Sequence, residues 1–404
     1  MAKCGWRDIE KSSWKALVFL WSVLAALAQQ PAPAPQEAVE EAEAEEPRPA
    51  ILHLMKGREL MVKKEFRQAE QEFRAAVELE PDNPEIRFSL ADLLDKRERI
   101  DEAIAEFEKV VAISPDLAEA RSRLGFLLYQ RQNLDRAIVE FREALRIRSK
   151  DVMTTNNLGL ALYDRGQVEE AIERFRAALQ LKSNYAPAHT NLGVALSSQG
   201  EHAAAIEEFR EALRLDPEDA TTHNGLGSAL EKTGDLDGAM AEYQEALRLD
   251  PNYMDAAFNL GNALRIKGDL EGAIAQLTVV VTQRPCDAGA HYSLGVAFEA
   301  KNAREEALAE FRKALELNPD HPEAHNHLGV ILHKQGNLLE AIAEYVAAIN
   351  LQPESGELHQ NLGAALQQQG NIKQAVAAYQ RACQLGWQES CKRIQRSGQP
   401  RQRK

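Results

Sequence analysis

Histidine is concentrated in one short stretch of the chain, HPEAHNHLGVILH, and this concentration raises the question of a metal site. His321, His325, His327 and His333 lie within thirteen residues, and imidazole is a common ligand of Zn²⁺. On a helix, however, His327 and His333 project in different directions, because six residues do not complete a whole number of turns. No cysteine or further histidine completes a ligand spacing, so we predict structural or surface roles, with no metal and no cofactor.

Histidine also returns at a fixed place elsewhere in the chain. Six histidines are separated by multiples of 34 residues, and they are His53, His189, His223, His291, His325 and His359. His325 therefore occupies a recurring packing position, which weakens the metal hypothesis further.

Motifs that carry catalysis are missing from the sequence. There is no Gly-rich phosphate loop, no G-x-S-x-G elbow and no H-E-x-x-H pair in the 404 residues. Phosphate binding, serine hydrolase chemistry and zinc-dependent hydrolysis of these kinds need their residues at those spacings. The many carboxylates fall on the outward faces of predicted amphipathic helices, where solvated charge is the usual explanation. We predict that the protein is not an enzyme.

The formal net charge of -14 also argues against nucleic acid as a partner, because phosphate binders concentrate Lys and Arg.

Asparagine is the other side chain whose recurrence suggests binding chemistry. The phrase Asn-Leu-Gly recurs at Asn157, Asn191, Asn259 and Asn361. An amide side chain both donates and accepts hydrogen bonds, so it suits the backbone of a peptide of any sequence.

These phrases belong to a gap-free period of 34 residues. Ten repeats run from Ala50 to Glu389, with Gly at position 8 in nine of them, Ala at position 20 in all ten and Phe or Tyr at position 24 in nine. Positions 4, 7, 8 and 11 have the spacing of one helical face, and small residues at positions 8 and 20 let two helices approach closely. The composition and this pattern predict an all-α fold.

The pattern resembles the tetratricopeptide repeat, a 34-residue helix-turn-helix unit. The resemblance implies an α-α superhelical solenoid of about one turn, in which positions 2, 5, 6, 9, 12 and 13 line a continuous concave groove. The ten predicted repeats are 50–83, 84–117, 118–151, 152–185, 186–219, 220–253, 254–287, 288–321, 322–355 and 356–389.

The groove is similar to the repeat region of O-linked N-acetylglucosamine transferase, where Asn at position 6 grips a peptide backbone. In this chain the series of Asn residues at position 6 is interrupted by Gly225, Ser293 and His327. The catalytic part of that enzyme has no counterpart in these 404 residues. The predicted peptide-binding residues are Asn157, Asn191, Asn259 and Asn361, together with the aromatic side chains Tyr129, Tyr163, Phe258 and Tyr292.

The amino-terminal sequence has the three regions of a secretory signal peptide over residues 1–28. Lys3, Arg7, Lys11 and Lys15 precede a thirteen-residue apolar run that ends in Ala26-Leu27-Ala28. An uncleaved signal anchor is the alternative. Residues 29–49, rich in Pro, Ala and Glu, are expected to form a disordered linker. We therefore expect a secreted or periplasmic protein without stable membrane insertion once the signal is cleaved.

Residues 390–404 are predicted to form a capping helix followed by a basic tail. Cys383 stands where every other repeat has Val, Leu or Ile, so it could be a small apolar core residue. The alternative is a disulfide with Cys391 in the capping helix.

These observations favour a non-catalytic scaffold that binds proteins or peptides in its groove. Two alternatives remain, namely a scaffold for the export or assembly of envelope polysaccharide and a subunit that presents substrates to a separate enzyme. The sequence leaves the oligomeric state open.

Overall fold

A computed structural model describes residues 48–397, and within this range every regular element is an α-helix. The predicted all-α class and the succession of helix-turn-helix pairs are confirmed. None of the helices in the described range is long and apolar enough to span a membrane. The predicted signal peptide, residues 29–47 of the predicted linker and residues 398–404 of the predicted tail lie outside the described residues.

The chain divides into two compact bodies between Thr233 and Gly234. In the N-terminal body the helices are α1 (Pro49–Val62), α2 (Phe66–Leu79), α3 (Pro84–Lys96), α4 (Ile100–Ile113), α5 (Ala118–Gln130), α6 (Leu134–Ile147), α7 (Val152–Asp164), α8 (Val168–Leu181), α9 (Ala186–Ser198), α10 (His202–Leu215) and α11 (Ala220–Thr233). In the C-terminal body they are α12 (Leu236–Leu249), α13 (Met254–Lys267), α14 (Leu270–Gln283), α15 (Ala288–Ala300), α16 (Arg304–Leu317), α17 (Pro322–Gln335), α18 (Leu338–Leu351), α19 (Gly356–Gln369), α20 (Ile372–Gln384) and α21 (Gln388–Ser397). Odd-numbered helices up to α19 are the first helix of a repeat, called helix A, and even-numbered ones are the second, called helix B.

Helices A and B of one repeat meet where a glycine faces an aromatic ring. A Cβ atom added to Gly193 would lie 2.8 Å from Cε1 of Phe209, which is closer than real Cβ contacts allow. The same arrangement pairs Gly125 with Phe141, Gly159 with Phe175, Gly295 with Phe311, Gly329 with Tyr345 and Gly363 with Tyr379. The recurring Ala at position 20 is buried in every repeat. Small residues at these two positions therefore permit the close approach of the helices.

Each first helix ends in a left-handed residue at position 15. Six of these residues are glycines with φ between 83° and 91°, and they are Gly166, Gly200, Gly234, Gly268, Gly336 and Gly370. The other four are Lys64, Glu98, Gln132 and Asn302, with φ between 58° and 62°. A side chain with a Cβ atom is strained in this conformation by about 1–2 kcal/mol. The turn is therefore kept even where the sequence lacks the residue that suits it.

The carboxyl-terminal helix α21 covers the last repeat. Ser390 is buried, and its Oγ donates to Oε1 of Gln360 at 3.0 Å. Ile394 packs against the buried cluster that contains Tyr379. The structure joins Cys383 of α20 to Cys391 of α21 through a disulfide with an S–S distance of 1.96 Å.

The recurring histidine at position 4 links its own helix B to the turn of the preceding repeat. Nδ1 of His189 lies 2.6 Å from Oε2 of Glu208, and Nε2 lies 2.9 Å from the carbonyl oxygen of Ser183. The same two contacts join His291 to Glu310 and Pro285, and His325 to Glu344 and Pro319. Both partners are acceptors, so a doubly protonated imidazole satisfies both.

Arginine makes the same two contacts in repeat 3. Nη1 of Arg121 lies 2.8 Å from Oε2 of Glu140, and Nε donates to the carbonyl oxygen of Pro115 at 2.7 Å. Arginine can therefore replace histidine in meeting these two acceptors, and the contacts account for the recurrence of His without a ligand.

Replacing Gln132 by glycine should stabilise the protein. The substitution removes the strain of a left-handed Cβ but lets the unfolded chain sample more conformations, so the net gain should be about 0.5 kcal/mol. The midpoint of chemical denaturation measures this change. Gln132→Ala is the matched control, because alanine keeps the Cβ, and it should bring no gain. Equal midpoints for the glycine and alanine variants would contradict the strain argument.

Replacing His189 by arginine should leave the stability close to that of the natural chain, whereas His189→Leu should lower it by about 1 kcal/mol. Arginine can donate to both Glu208 and the Ser183 carbonyl, as Arg121 does to its partners, but leucine leaves both without their donor. Thermal and chemical denaturation of the two variants measure the difference. An arginine variant as unstable as the leucine variant would show that position 4 has another role.

Candidate peptide-binding surface

The eight predicted binding residues lie on A helices, and all are partly buried. They are divided between the two bodies. Tyr129, Asn157, Tyr163 and Asn191 lie in the N-terminal body, on α5, α7 and α9. Asn259, Phe258, Tyr292 and Asn361 lie in the C-terminal body, on α13, α15 and α19.

Asn191 and Asn361 each form a hydrogen bond to the neighbouring repeat. Nδ2 of Asn191 donates to Oδ1 of Asn156 at 3.0 Å, and Nδ2 of Asn361 donates to Oδ1 of Asn326 at 2.9 Å. Each bond runs from position 6 of one repeat to position 5 of the repeat before it. An amide has a second N–H and an acceptor oxygen, so these contacts leave capacity for a ligand. The sequence pattern did not predict this structural role.

Asn157 differs from Asn191 because its side chain makes no hydrogen bond to any residue within 48–397. In repeat 3 the residue at position 6 is Arg123. Its Nη2 lies 3.7 Å from Oδ1 of Asp92, and its Nη1 lies 3.9 Å from Oδ2 of Asp95. Burial raises the pKa of Asp95, and Arg123 opposes that shift. The amide of Asn157 therefore has its full hydrogen-bonding capacity for a partner.

Beside these amides runs a row of apolar side chains at position 9. Phe126 of α5, Leu160 of α7 and Val194 of α9 occupy equivalent places on helices that contact one another in succession. Phe126 and Leu160 are partly buried, and Val194 is 36% exposed. We call these three side chains the apolar strip. Sequence reasoning included position 9 in the groove but did not select these residues, although three consecutive apolar side chains at one groove position were the available signal.

Two tyrosines at position 12 border the apolar strip. The hydroxyl of Tyr129 donates to Oδ2 of Asp164 at 2.6 Å, which connects repeats 3 and 4. Tyr163, one repeat further, is partly buried, and its hydroxyl has no hydrogen-bond partner in the described range. A tyrosine of this kind offers a partner both an apolar ring and a polar tip.

The helices that carry most of the strip have almost no charge. The only ionised side chain in α7 is Asp164, and α9 contains no Asp, Glu, Lys or Arg. The surface of the A helices of repeats 4 and 5 is therefore apolar and amide-rich, in a chain whose residues are 27% charged overall.

In the C-terminal body the predicted aromatic residues are occupied by internal contacts. Phe258 packs against a buried cluster formed by Ala257, Val280 and Ala290. A phenyl ring contributes to binding mainly through the apolar area that it buries. The part of the Phe258 ring that packs against this cluster is therefore not available to a partner.

Tyr292 belongs to a cluster of rings around His327. The centroid of Tyr292 lies 4.5 Å from that of His321 and 5.7 Å from that of His327, and His327 stacks on Phe311 at 5.3 Å. Nδ1 of His327 lies 2.6 Å from Oε2 of Glu299. Burial raises the pKa of the Tyr292 hydroxyl.

His333, the remaining histidine of the cluster that opened the metal question, contacts Gln368 through Nε2 at 2.8 Å. Within residues 48–397 no group of three or more His, Cys, Asp or Glu side chains has the arrangement of a metal site. The four histidines are therefore explained by contacts with other residues of the chain.

Several tetratricopeptide-repeat family models match the sequence. The matched ranges are 54–118, 96–151, 159–200, 190–253, 224–288, 300–336, 331–370 and 356–385. Together these ranges include most of the ten repeats. No curated protein sequence is similar enough to count as a relative.

Solved structures of the same architecture are also similar to the chain. The Cut9 and Hcn1 hetero-tetramer of the APC/C matches with a TM-score of 0.54 and 18% identity over 75% of this chain and 60% of that chain. YrrB, described as a TPR protein with an unusual peptide-binding site, is 30% identical over 46% of this chain and 95% of its own, with a TM-score of 0.39. PilF of Pseudomonas aeruginosa is 19% identical over 51% of this chain and 94% of its own, with a TM-score of 0.46.

The repeated glycine, alanine and aromatic contacts and the matching family models lead to one assignment. The chain belongs to the tetratricopeptide-repeat family and is a scaffold for protein interactions.

Proposed function

We propose that this scaffold binds an extended, largely uncharged polypeptide segment along the A helices of repeats 3 to 5. The observation that carries the proposal is the apolar strip of Phe126, Leu160 and Val194, because Leu160 and Val194 lie on α7 and α9, which have only one ionised side chain between them. Beside α7 and α9 a charged segment would lose hydration where Asp164 is the only ionised side chain of either helix. An uncharged segment would lose less hydration free energy on binding there.

The division of labour between the side chains follows from their energies. Each hydrogen bond from an asparagine amide to a peptide group contributes roughly 0.5–1.5 kcal/mol net. Ordering the peptide costs roughly 1–2 kcal/mol per residue. The amides therefore cannot supply the affinity alone, and burial of apolar side chains against the strip and the Tyr163 ring has to provide the rest. The amides hold the backbone in register.

The proposal is tested with a display library of random dodecapeptides selected against the full-length protein. The enriched peptides should contain apolar residues and few charges. One enriched peptide, labelled with fluorescein, should then bind Val194→Glu at least tenfold more weakly than the natural chain, which corresponds to about 1.4 kcal/mol. Val139→Glu on α6 is the matched control, because Val139 is exposed but lies on a B helix, and it should bind as the natural chain does.

Two results would contradict the proposal. One is enrichment of strongly charged peptides, and the other is equal loss of binding in Val194→Glu and Val139→Glu.

Asn157→Ala adds a cleaner probe of the amide contribution than Asn191→Ala, because Asn191 also holds Asn156 of the preceding repeat. Loss of a single peptide hydrogen bond in Asn157→Ala should weaken binding roughly two- to tenfold.

We further propose that the scaffold works outside the cytoplasm, after cleavage at Ala28. The support is the three-region pattern of residues 1–28, together with the Cys383–Cys391 disulfide, because such bonds persist in oxidising compartments.

Export predicts a definite mature amino terminus. When the full chain is expressed in bacteria, mass spectrometry of the envelope fraction should find a protein that begins at Gln29. A membrane-bound protein that retains residues 1–28 would instead indicate the signal-anchor alternative.

A further inference from the structure

A cavity of about 350 Å³ lies in the C-terminal body, between α18, α19 and α20. Its apolar wall is formed by Ile342, Val346, Leu362 and Leu366. The polar groups that line it are the side chains of His359, Gln374 and Arg381. No Asp or Glu side chain lines this cavity, so its polar side is an imidazole, an amide and a guanidinium that face an apolar wall.

His359 is the position 4 histidine of repeat 10, and it lacks the carboxylate that its counterparts have. In repeats 1, 5, 8 and 9 the equivalent Nδ1 lies 2.5–2.6 Å from a glutamate oxygen at position 23. In repeat 10 position 23 is Ala378, which lines the cavity instead. The Nε2 contact is kept, at 3.0 Å from the carbonyl oxygen of Pro353. Within the described range Nδ1 of His359 has no hydrogen-bond partner.

Arg381 supplies a second donor beside this vacant carboxylate position. One of its guanidinium nitrogens lies 2.7 Å from Oε1 of Glu354, and its side chain is 43% exposed. A guanidinium carries five N–H donors, so the contact with Glu354 leaves others for a ligand. Arg381 stands at position 26 of its repeat, and among the ten repeats only repeat 10 has arginine there.

We propose that this cavity binds a carboxylate attached to a short aliphatic group. The carboxylate takes the place that glutamate occupies in repeats 1, 5, 8 and 9, and it accepts hydrogen bonds from His359 and Arg381. The aliphatic group packs against Ile342, Val346 and Leu362. A protonated His359 then donates to both the ligand and the Pro353 carbonyl, as His325 can donate to Glu344 and Pro319. A volume of about 350 Å³ lies at the lower end of the range for small-molecule pockets.

Two sources offer this chemistry, namely a free aliphatic acid and the carboxyl terminus of a polypeptide that ends in an aliphatic residue. The probes are octanoate and the peptide acetyl-Ala-Leu-Val with a free carboxyl group. Their amide forms are the matched control ligands. Binding to the full-length protein is followed by the NMR signals of the His359 imidazole and by calorimetry.

Both acids should shift the His359 signals, and each amide should bind at least tenfold more weakly than its acid. The tighter acid identifies the source. Ala378→Glu should abolish the binding of both acids, because the new carboxylate fills the site from within the chain. The same variant should be at least as stable as the natural protein, since it restores the contact of the other repeats.

Gln380→Glu is the control for Ala378→Glu, because it adds the same charge at an exposed position of the same helix. It should leave binding unchanged. A second variant, His359→Gln, keeps a donor in place of the ring but removes the charge, and it should weaken binding at least fivefold. Equal binding of acids and amides, or full binding by a folded Ala378→Glu variant, would overturn the proposal. Val194→Glu should have no effect here, which separates this site from the apolar strip.

Discussion

The contact between a glycine on helix A and an aromatic ring on helix B is the constraint on which this protein depends. At Gly193 there is no space for even one extra carbon, because Cε1 of Phe209 would lie 2.8 Å from it. The same ring lies equally close to the place of a Cβ at Gly225 in the following repeat. Phe209 therefore joins both the two helices of its own repeat and the next repeat. A repeat cannot bury such a ring alone, which is why neighbouring repeats within each body stack on one another.

This constraint separates the positions of the repeat into those that build the stack and those that vary. Position 4 belongs to the first group, since His189 and Arg121 make equivalent contacts with a glutamate and a carbonyl oxygen. Position 9 belongs to the second group and ranges from Arg58 in repeat 1 to Val194 in repeat 5. Function is expected where variable positions form a coherent surface, as in the apolar strip. It is also expected where one repeat departs from the stacking pattern, as Ala378 does.

The sequence predicted the architecture in detail but the binding surface only in outline. The period indicated a succession of helix pairs because small residues at positions 8 and 20 and a large one at position 24 recur where the two helices of a repeat meet. It did not predict that Asn191 binds Asn156, because that bond depends on the stagger between neighbouring A helices. It selected Phe258 and Tyr292 as groove residues but did not predict their internal contacts, which Phe258 makes with a buried cluster and Tyr292 with His321 and His327.

The sequence by itself determined the class and the family, since these follow from local spacing and from the size of side chains at fixed positions. It also indicated the histidine recurrence, although not its cause. Only the tertiary structure showed that four non-glycine residues, among them Gln132, adopt the left-handed turn. Only the structure revealed the cavity beside His359. The physical reason is the same in both cases. Conformations and cavities of this kind are imposed by the packing of neighbouring repeats, and a linear pattern records which residues recur but not the space left between them.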